Sequence, residues 1–236
     1  MTIFEDLLVV QQFDTTLDQL RHRLATLPER AARDAAHARV EQATAALEEI
    51  SERLRAIRAV QKEAEDHAAL LEDKAAAANA SLYDGSVTAH KELEAVQEEI
   101  SSLTSRQAHF EDEALEQMEL AEPVEEELAA ARAELEAAIE ASAAADTALA
   151  EAITVLEAEI AVVETDRSSS VEAVPTELLV TYDSLRAGLG VAVARLAGAR
   201  CEGCHLEIPS AQLEAVRRAP ADEVVNCPEC GRILVR

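Results

Sequence analysis

The sequence predicts a mainly α fold: a long antiparallel coiled-coil helical hairpin followed by a small C-terminal domain of short β-strands and short helices. Three observations carry this reading. Apolar residues recur at alternating steps of three and four along two long stretches. A turn sequence, Asp84-Gly85, separates those stretches. All four cysteines then fall within residues 201–230, as two C-x-x-C pairs. Composition agrees. Aromatics make up 2% of the 236 residues and Trp is absent. Ala, Glu, Leu and Arg, all strong helix formers, are abundant. So few bulky side chains leave little with which to fill a broad globular core at native density.

The first seam runs Val40, Ala43, Leu47, Ile50, Leu54, Ile57, Gln61, Ala64, Ala68, Leu71, Ala75, Ala78, Leu82, broken only by Gln61. Such a heptad repeat buries one narrow stripe of a helix against a partner helix. The second seam starts at Leu93 and passes through Phe110, Ala114, Val124, Ala138 and Leu149 to Leu156. Between them, Asp84-Gly85 supplies a turn and Thr88 is the expected N-cap of the returning helix. A connection this short folds the second helix back along the first. Pairing about the turn then sets Leu47 near Val124. Pro28 and Pro123 are each expected to kink or break a helix. The hairpin is expected to occupy residues 1–167, with its turn near 83–88. From residue 168 on, a linker, a short helix begun by Pro175 and a metal-binding domain follow.

The formal charge is −26, concentrated in residues 84–167, which hold 23 acids and 4 bases. A field of that sign repels phosphate, so nucleic acid is not expected on the coil. The first 20 residues carry acids where an export signal carries bases, and no stretch approaches the length of a membrane span. The expectation is therefore a cytoplasmic protein without membrane association.

Cys201-x2-Cys204 and Cys227-x2-Cys230 flank a gap of 22 residues. Each C-x-x-C turn directs two sulfurs at one ion, and two turns complete a tetrahedral shell. Gly203 and Gly231 are expected to ease the backbone at these turns. Pro209-Ser210 opens a short helix, "AQLEAVRR", and "GVAVARLAG", "DEVV" and "RILV" read as strands. These are the parts of a zinc ribbon holding one structural Zn2+. Iron suits the same four sulfurs, but the aromatics of an electron-transfer core are missing. A redox C-x-x-C would leave the second pair unexplained. Catalytic zinc keeps an open position, which four cysteines close, so no enzyme is expected. His205 reads as a surface residue.

The turn segment "LYDGSVTAHKELEAVQEEI", with "CEGCHLEIP" and "CPECGRIL", resembles the bacterial coiled-coil hairpin proteins that carry a C-terminal C4-type zinc ribbon. The resemblance spans the chain, and all four cysteines match the family's ligands. It departs at Ala89-His90, where many relatives have proline after the threonine. The resemblance implies a non-catalytic adaptor. Described members bind the sigma-54 transcription factor and components of flagellar or type III secretion, and RNA binding has been proposed. The Ala- and Arg-rich composition points to a high-GC organism, so those particular partners do not transfer directly.

Two surfaces are candidates for a partner. At the tip, Tyr83, Val87 and His90 either anchor a protein or, as the preferred alternative, Tyr83 and Val87 staple the turn. In the ribbon, Arg217, Arg218 and Arg232 lie close to the cysteines in sequence. They either offset the charge of a four-thiolate site or meet nucleic acid, the alternative function. A monomer is favoured over a dimer, because the hairpin supplies its own partner helix.

Overall fold

The computed structural model describes residues 2–85 and 88–236. Its elements are α1 (Ile3–Ala25), α2 (Pro28–Ser81), α3 (His90–Val171), α4 (Thr176–Leu189), β1 (Val193–Ala197), β2 (Arg200–Cys201), α5 (Ser210–Arg218) and β3 (Ile233–Val235). They form two compact units: Ala32–Asp146, and Met1–Ala31 together with Thr147–Arg236. This division departs from a boundary at residue 167, because α1 and the last turns of α3 pack with the C-terminal elements. No helix among the described residues is long and apolar enough to cross a membrane.

Helix ends follow local chemistry. Thr2 and Glu5 form a reciprocal capping box at the start of α1, which satisfies two otherwise orphaned amides. Pro28 opens α2, where its missing N–H would have had no partner, so it separates two helices. Pro123 behaves differently and lies inside an unbroken α3. One intrahelical bond is lost there, but Ala121 and Val124 on either side are buried and hold the segment in register. The N-cap expected at Thr88 falls one residue later. The Ala89 carbonyl accepts from the amides of Glu92 and Leu93 at 3.0 and 3.1 Å. The linker expected after Asp166 is also corrected. Helix α3 continues to Val171, and the hydroxyls of Ser168, Ser169 and Ser170 each bond a carbonyl one turn back rather than interrupting it.

In the hairpin unit, every seam position of α2 and α3 is buried or half-buried. Many are alanines, so the helices approach closely while each layer removes little apolar area. The seam's polar break, Gln61, is buried but satisfied. Its carbonyl accepts from Arg58 at 2.6 Å and its amide donates to Glu65 at 2.6 Å. Pairing differs from a register centred on the turn. Arg58 meets Glu125 at 2.5 Å, Arg53 meets Glu127 and His37 meets Asp146 at 3.1 Å, pairs whose numbers total 183, 180 and 183, while the long side chain of Arg39 reaches Glu134 at a total of 173. The expected pairing of Leu47 with Val124 totals 171. Helix α3 is thus displaced by about ten residues, or roughly 15 Å, because the segment joining the helices is long enough to take up an offset.

The other unit is built on two faces of one small sheet, ordered β2-β1-β3, with β1 and β3 parallel. Side chains alternate along each strand. Val193, Ile233 and Val235 face a helical core of Phe4, Leu7 and Val10 from α1 and Val174, Leu178 and Tyr182 around α4. Ala194 and Leu234 face the opposite way, into a core with Cys201, Cys227, Ile208, Leu213 and Val216. The strand expected at "DEVV" does not form: its first half is a turn, and beyond it only the Val225 carbonyl, accepting from the Leu234 amide at 2.8 Å, and the bridge of Asn226 to Ile233 reach β3.

Candidate metal centre

Two turns of the same design build the site. After Cys201-x2-Cys204 the chain enters the left-handed region at His205 (φ 62°), and after Cys227-x2-Cys230 it does so at Gly231 (φ 76°). In the first turn the His205 amide bonds the Cys201 carbonyl at 2.8 Å, and the Cys201 amide bonds the Leu206 carbonyl at 3.1 Å. In the second, Gly231 bonds Cys227 at 2.9 Å and Cys227 bonds Arg232 at 2.7 Å. The repeated pattern shows that His205 has a backbone role at an exposed position.

Gly203 is needed for another reason than the one its place in the turn suggests. Its φ is not positive. A Cβ there would lie 2.6 Å from Cδ of Arg232 and 2.9 Å from Cβ of Ala194. The glycine lets the first turn press against the second turn and the sheet.

The four Sγ atoms lie within 4.8 Å of one another, with Cys201 to Cys230 at 4.0 Å and Cys204 to Cys227 at 3.9 Å. Four thiolates at about 2.3 Å from a tetrahedral ion stand about 3.8 Å apart, and a disulfide would need about 2 Å. The donor set fits zinc. Among the described residues this is the one such cluster of Cys, His, Asp or Glu.

The thiols differ. Burial pushes Cys227 up to about 12. At Cys204 the Leu206 amide favours the thiolate, but burial and the thiols of Cys230 and Cys201 outweigh it and leave the group raised. At Cys230 burial also acts upward, yet the amide and guanidinium of Arg232 and the neighbouring thiols prevail and bring it down to about 7. Zinc keeps all four as thiolates when bound, because it binds only that form.

The remaining candidates are dispersed. Arg232 belongs to the site: its Nε donates to the Val191 carbonyl at 2.9 Å, and its guanidinium serves Cys230. Arg217 donates to the Gly198 carbonyl at 2.9 Å, and Arg218 pairs with Glu214. In the hairpin unit, Tyr83 is 82% exposed. The His90 side chain is exposed and lies 3.7 Å from Glu94. Val87 lies outside the described residues.

Two residues that position this unit escape a reading by motif. The Gln11 side chain accepts from the amides of Ala192 and Val193 at 2.8 and 2.6 Å and donates to the Val193 carbonyl at 2.8 Å, acting as a strand partner for β1. Asp14 is buried, accepting from Arg167 at 2.6 Å and from the Tyr182 hydroxyl at 2.7 Å. Their one signal in the sequence is a polar pair within the apolar stripe Leu7, Val10, Leu17.

Comparison with known proteins decides the family. The model of the CT398-like coiled coil hairpin domain matches residues 10–190, and that of the C4-type zinc ribbon domain matches residues 200–234. The chain belongs to the CT398-like hairpin family. As a CT398-like protein with a C4 ribbon, it holds a single structural zinc. It is 32% identical to the uncharacterized Mycobacterium tuberculosis protein Rv2229c, over 98% of this chain and 94% of that protein. It is 29% identical to the uncharacterized Mycobacterium leprae protein ML1638, over 95% and 96%. A Mycobacterium smegmatis structure superposes with a TM-score of 0.69 at 27% identity, covering all of both chains. CT398 from Chlamydia trachomatis shares the fold, with a TM-score of 0.67 at 19% identity, over 98% and 96%.

Proposed function

We propose that this CT398-like protein is a non-catalytic adaptor of the cytoplasm, in which zinc holds the fold and the hairpin surface binds a partner protein. The observation that carries this reading is the closed sulfur shell. Four cysteines fill the coordination sphere, so the metal has no position for water or substrate, and its chemistry is structural. What the molecule offers to other molecules is then surface. The exposed ring of Tyr83 supports a protein contact at the tip, since aromatic side chains supply much of the energy of such contacts. Arg217, Arg218 and Arg232 are engaged by carbonyls, a carboxylate and a thiol, which favours a protein partner over nucleic acid at the ribbon.

Affinity capture from the native cell, with the zinc-loaded full chain as bait, tests this. A partner retained by wild type and lost with Tyr83→Ala, at unchanged thermal stability, is the expected result. Capture of nucleic acid alone, abolished by Arg217→Ala with Arg218→Ala and by moderate salt, would replace the adaptor with a nucleic-acid regulator.

A further inference from the structure

Across the seam of the hairpin unit, Glu65, Ala69 and Glu72 of α2 face Glu111, Leu115 and Met118 of α3 over a groove of about 470 Å³. Its floor is Ala68 and Ala114, both buried. These small side chains leave the walls standing above the seam. Leu115 and Met118 are 57% and 45% exposed, on a helix whose other outward positions between 111 and 122 are acids except for Leu120. Between Arg106 and Arg132, α3 has nine acids and no Lys or Arg. The groove is therefore an apolar strip with an anionic rim on both sides.

We propose that this groove docks a cationic amphipathic helix of a partner protein. An apolar stripe at i, i+3, i+4 and i+7 on such a helix covers Leu115, Met118 and Ala69, and Lys or Arg flanking that stripe meets Glu65, Glu72 and Glu111. Methionine suits the purpose, because its flexible thioether adapts to the side chain that lies against it. Charge selects the occupant. A second copy of this chain brings a net charge of −26 to an anionic rim and is repelled, whereas a basic helix is attracted and steered. This inference rests on the adaptor reading and names one surface and one partner chemistry for it.

The test uses the zinc-loaded full chain and a fluorescein-labelled 18-residue helical peptide with a Leu/Ala stripe flanked by Lys and Arg. Anisotropy should report saturable binding that weakens with salt. Leu115→Ser with Met118→Ser, which leaves charge unchanged, should weaken binding about tenfold. The triple change Glu65→Gln, Glu72→Gln, Glu111→Gln should do so as well and should flatten the salt dependence. Glu136→Gln, Glu140→Gln, Glu157→Gln, removing equal charge elsewhere, should change affinity less than about twofold. Hydrogen-exchange footprinting of the wild-type chain should show protection by the peptide at 65–72 and 111–118. Equal losses from the two triple variants, indifference to the Leu115/Met118 change, or protection elsewhere would overturn the proposal. So would a monomer–dimer equilibrium abolished by the Leu115/Met118 change. The capture experiment with Tyr83→Ala stands apart, so failure at the groove and failure of the adaptor reading are told apart.

Discussion

Asp14 is the one buried acid among the described residues, and its neighbours explain how a charge sits there. Arg167 donates to both carboxylate oxygens and Tyr182 to one of them, while Arg186 reaches the Asp14 carbonyl at 3.3 Å and Asp18 at 2.6 Å. Removing Asp14 leaves the buried Tyr182 hydroxyl without its acceptor and the part-buried Arg167 without its closest carboxylate, while Arg186 keeps Asp18, so Asp14→Ala should cost about 1–3 kcal/mol in a thermal or urea melt. Tyr182 adds a pH dependence. Burial, and then its bond to Asp14, raise the phenol above its ordinary value of 10.0. A raised folded-state value means the stabilisation is complete below about pH 10 and is lost as pH climbs beyond it. Tyr182→Phe should melt at a nearly constant temperature across that alkaline range, where wild type declines. Zinc responds at the other end of the scale. Binding displaces protons from thiols that burial raises, Cys227 up to about 12, so affinity falls as pH falls. A chromophoric chelator should therefore take zinc progressively faster from pH 7 to pH 5. Cys204→Ala should hold no stoichiometric zinc by elemental analysis.

The helices show which properties of an element are local. Heptad spacing is written residue by residue, so both seams and the four metal ligands were legible from the sequence alone. The stagger of α3 against α2 was not, because spacing within each helix is indifferent to sliding one along the other. Interhelical pairs such as Arg58 with Glu125 record the register, though each exposed pair contributes only about 0–1 kcal/mol. Spin labels at positions 53 and 127 should accordingly report a much shorter distance than labels at 47 and 124, measured by pulsed electron resonance on zinc-loaded protein. The reverse order would restore a register centred on the turn. Helix α1 was equally opaque. Phe4, Leu7 and Val10 read as one more amphipathic stripe, and nothing near them in sequence names Ile233 and Val235 as what they cover. Strand "DEVV" failed for a related reason: its apolar pair looks strand-like, but the turn at Asp222 lets only Val225 and Asn226 reach the open edge of β3, too few to form a strand.

At the scale of the molecule, the sheet couples metal to helices. Zinc organises one of its faces and α1 with α4 cover the other, so Cys204→Ala or chelation should disorder more than the ribbon. Hydrogen exchange in α1 and α4 should accelerate together with β1 and β3. The far-UV helix signal should fall only modestly, because the seams of Ala32–Asp146 are independent of the site. The intact chain should sediment as a 25.4 kDa monomer, its hairpin paired within one chain. The same sheet also has a consequence for synthesis. Leu7 and Val10 leave the ribosome early, but the strand that buries them follows more than 220 residues later. At about 5–20 residues per second, those side chains wait roughly 10–45 s for cover. Through that interval α1 is an apolar helix in search of a surface, a natural client for a chaperone. Ribosome-bound chains halted before Ile233 should be cleaved by protease within α1, and chains released with zinc present should resist.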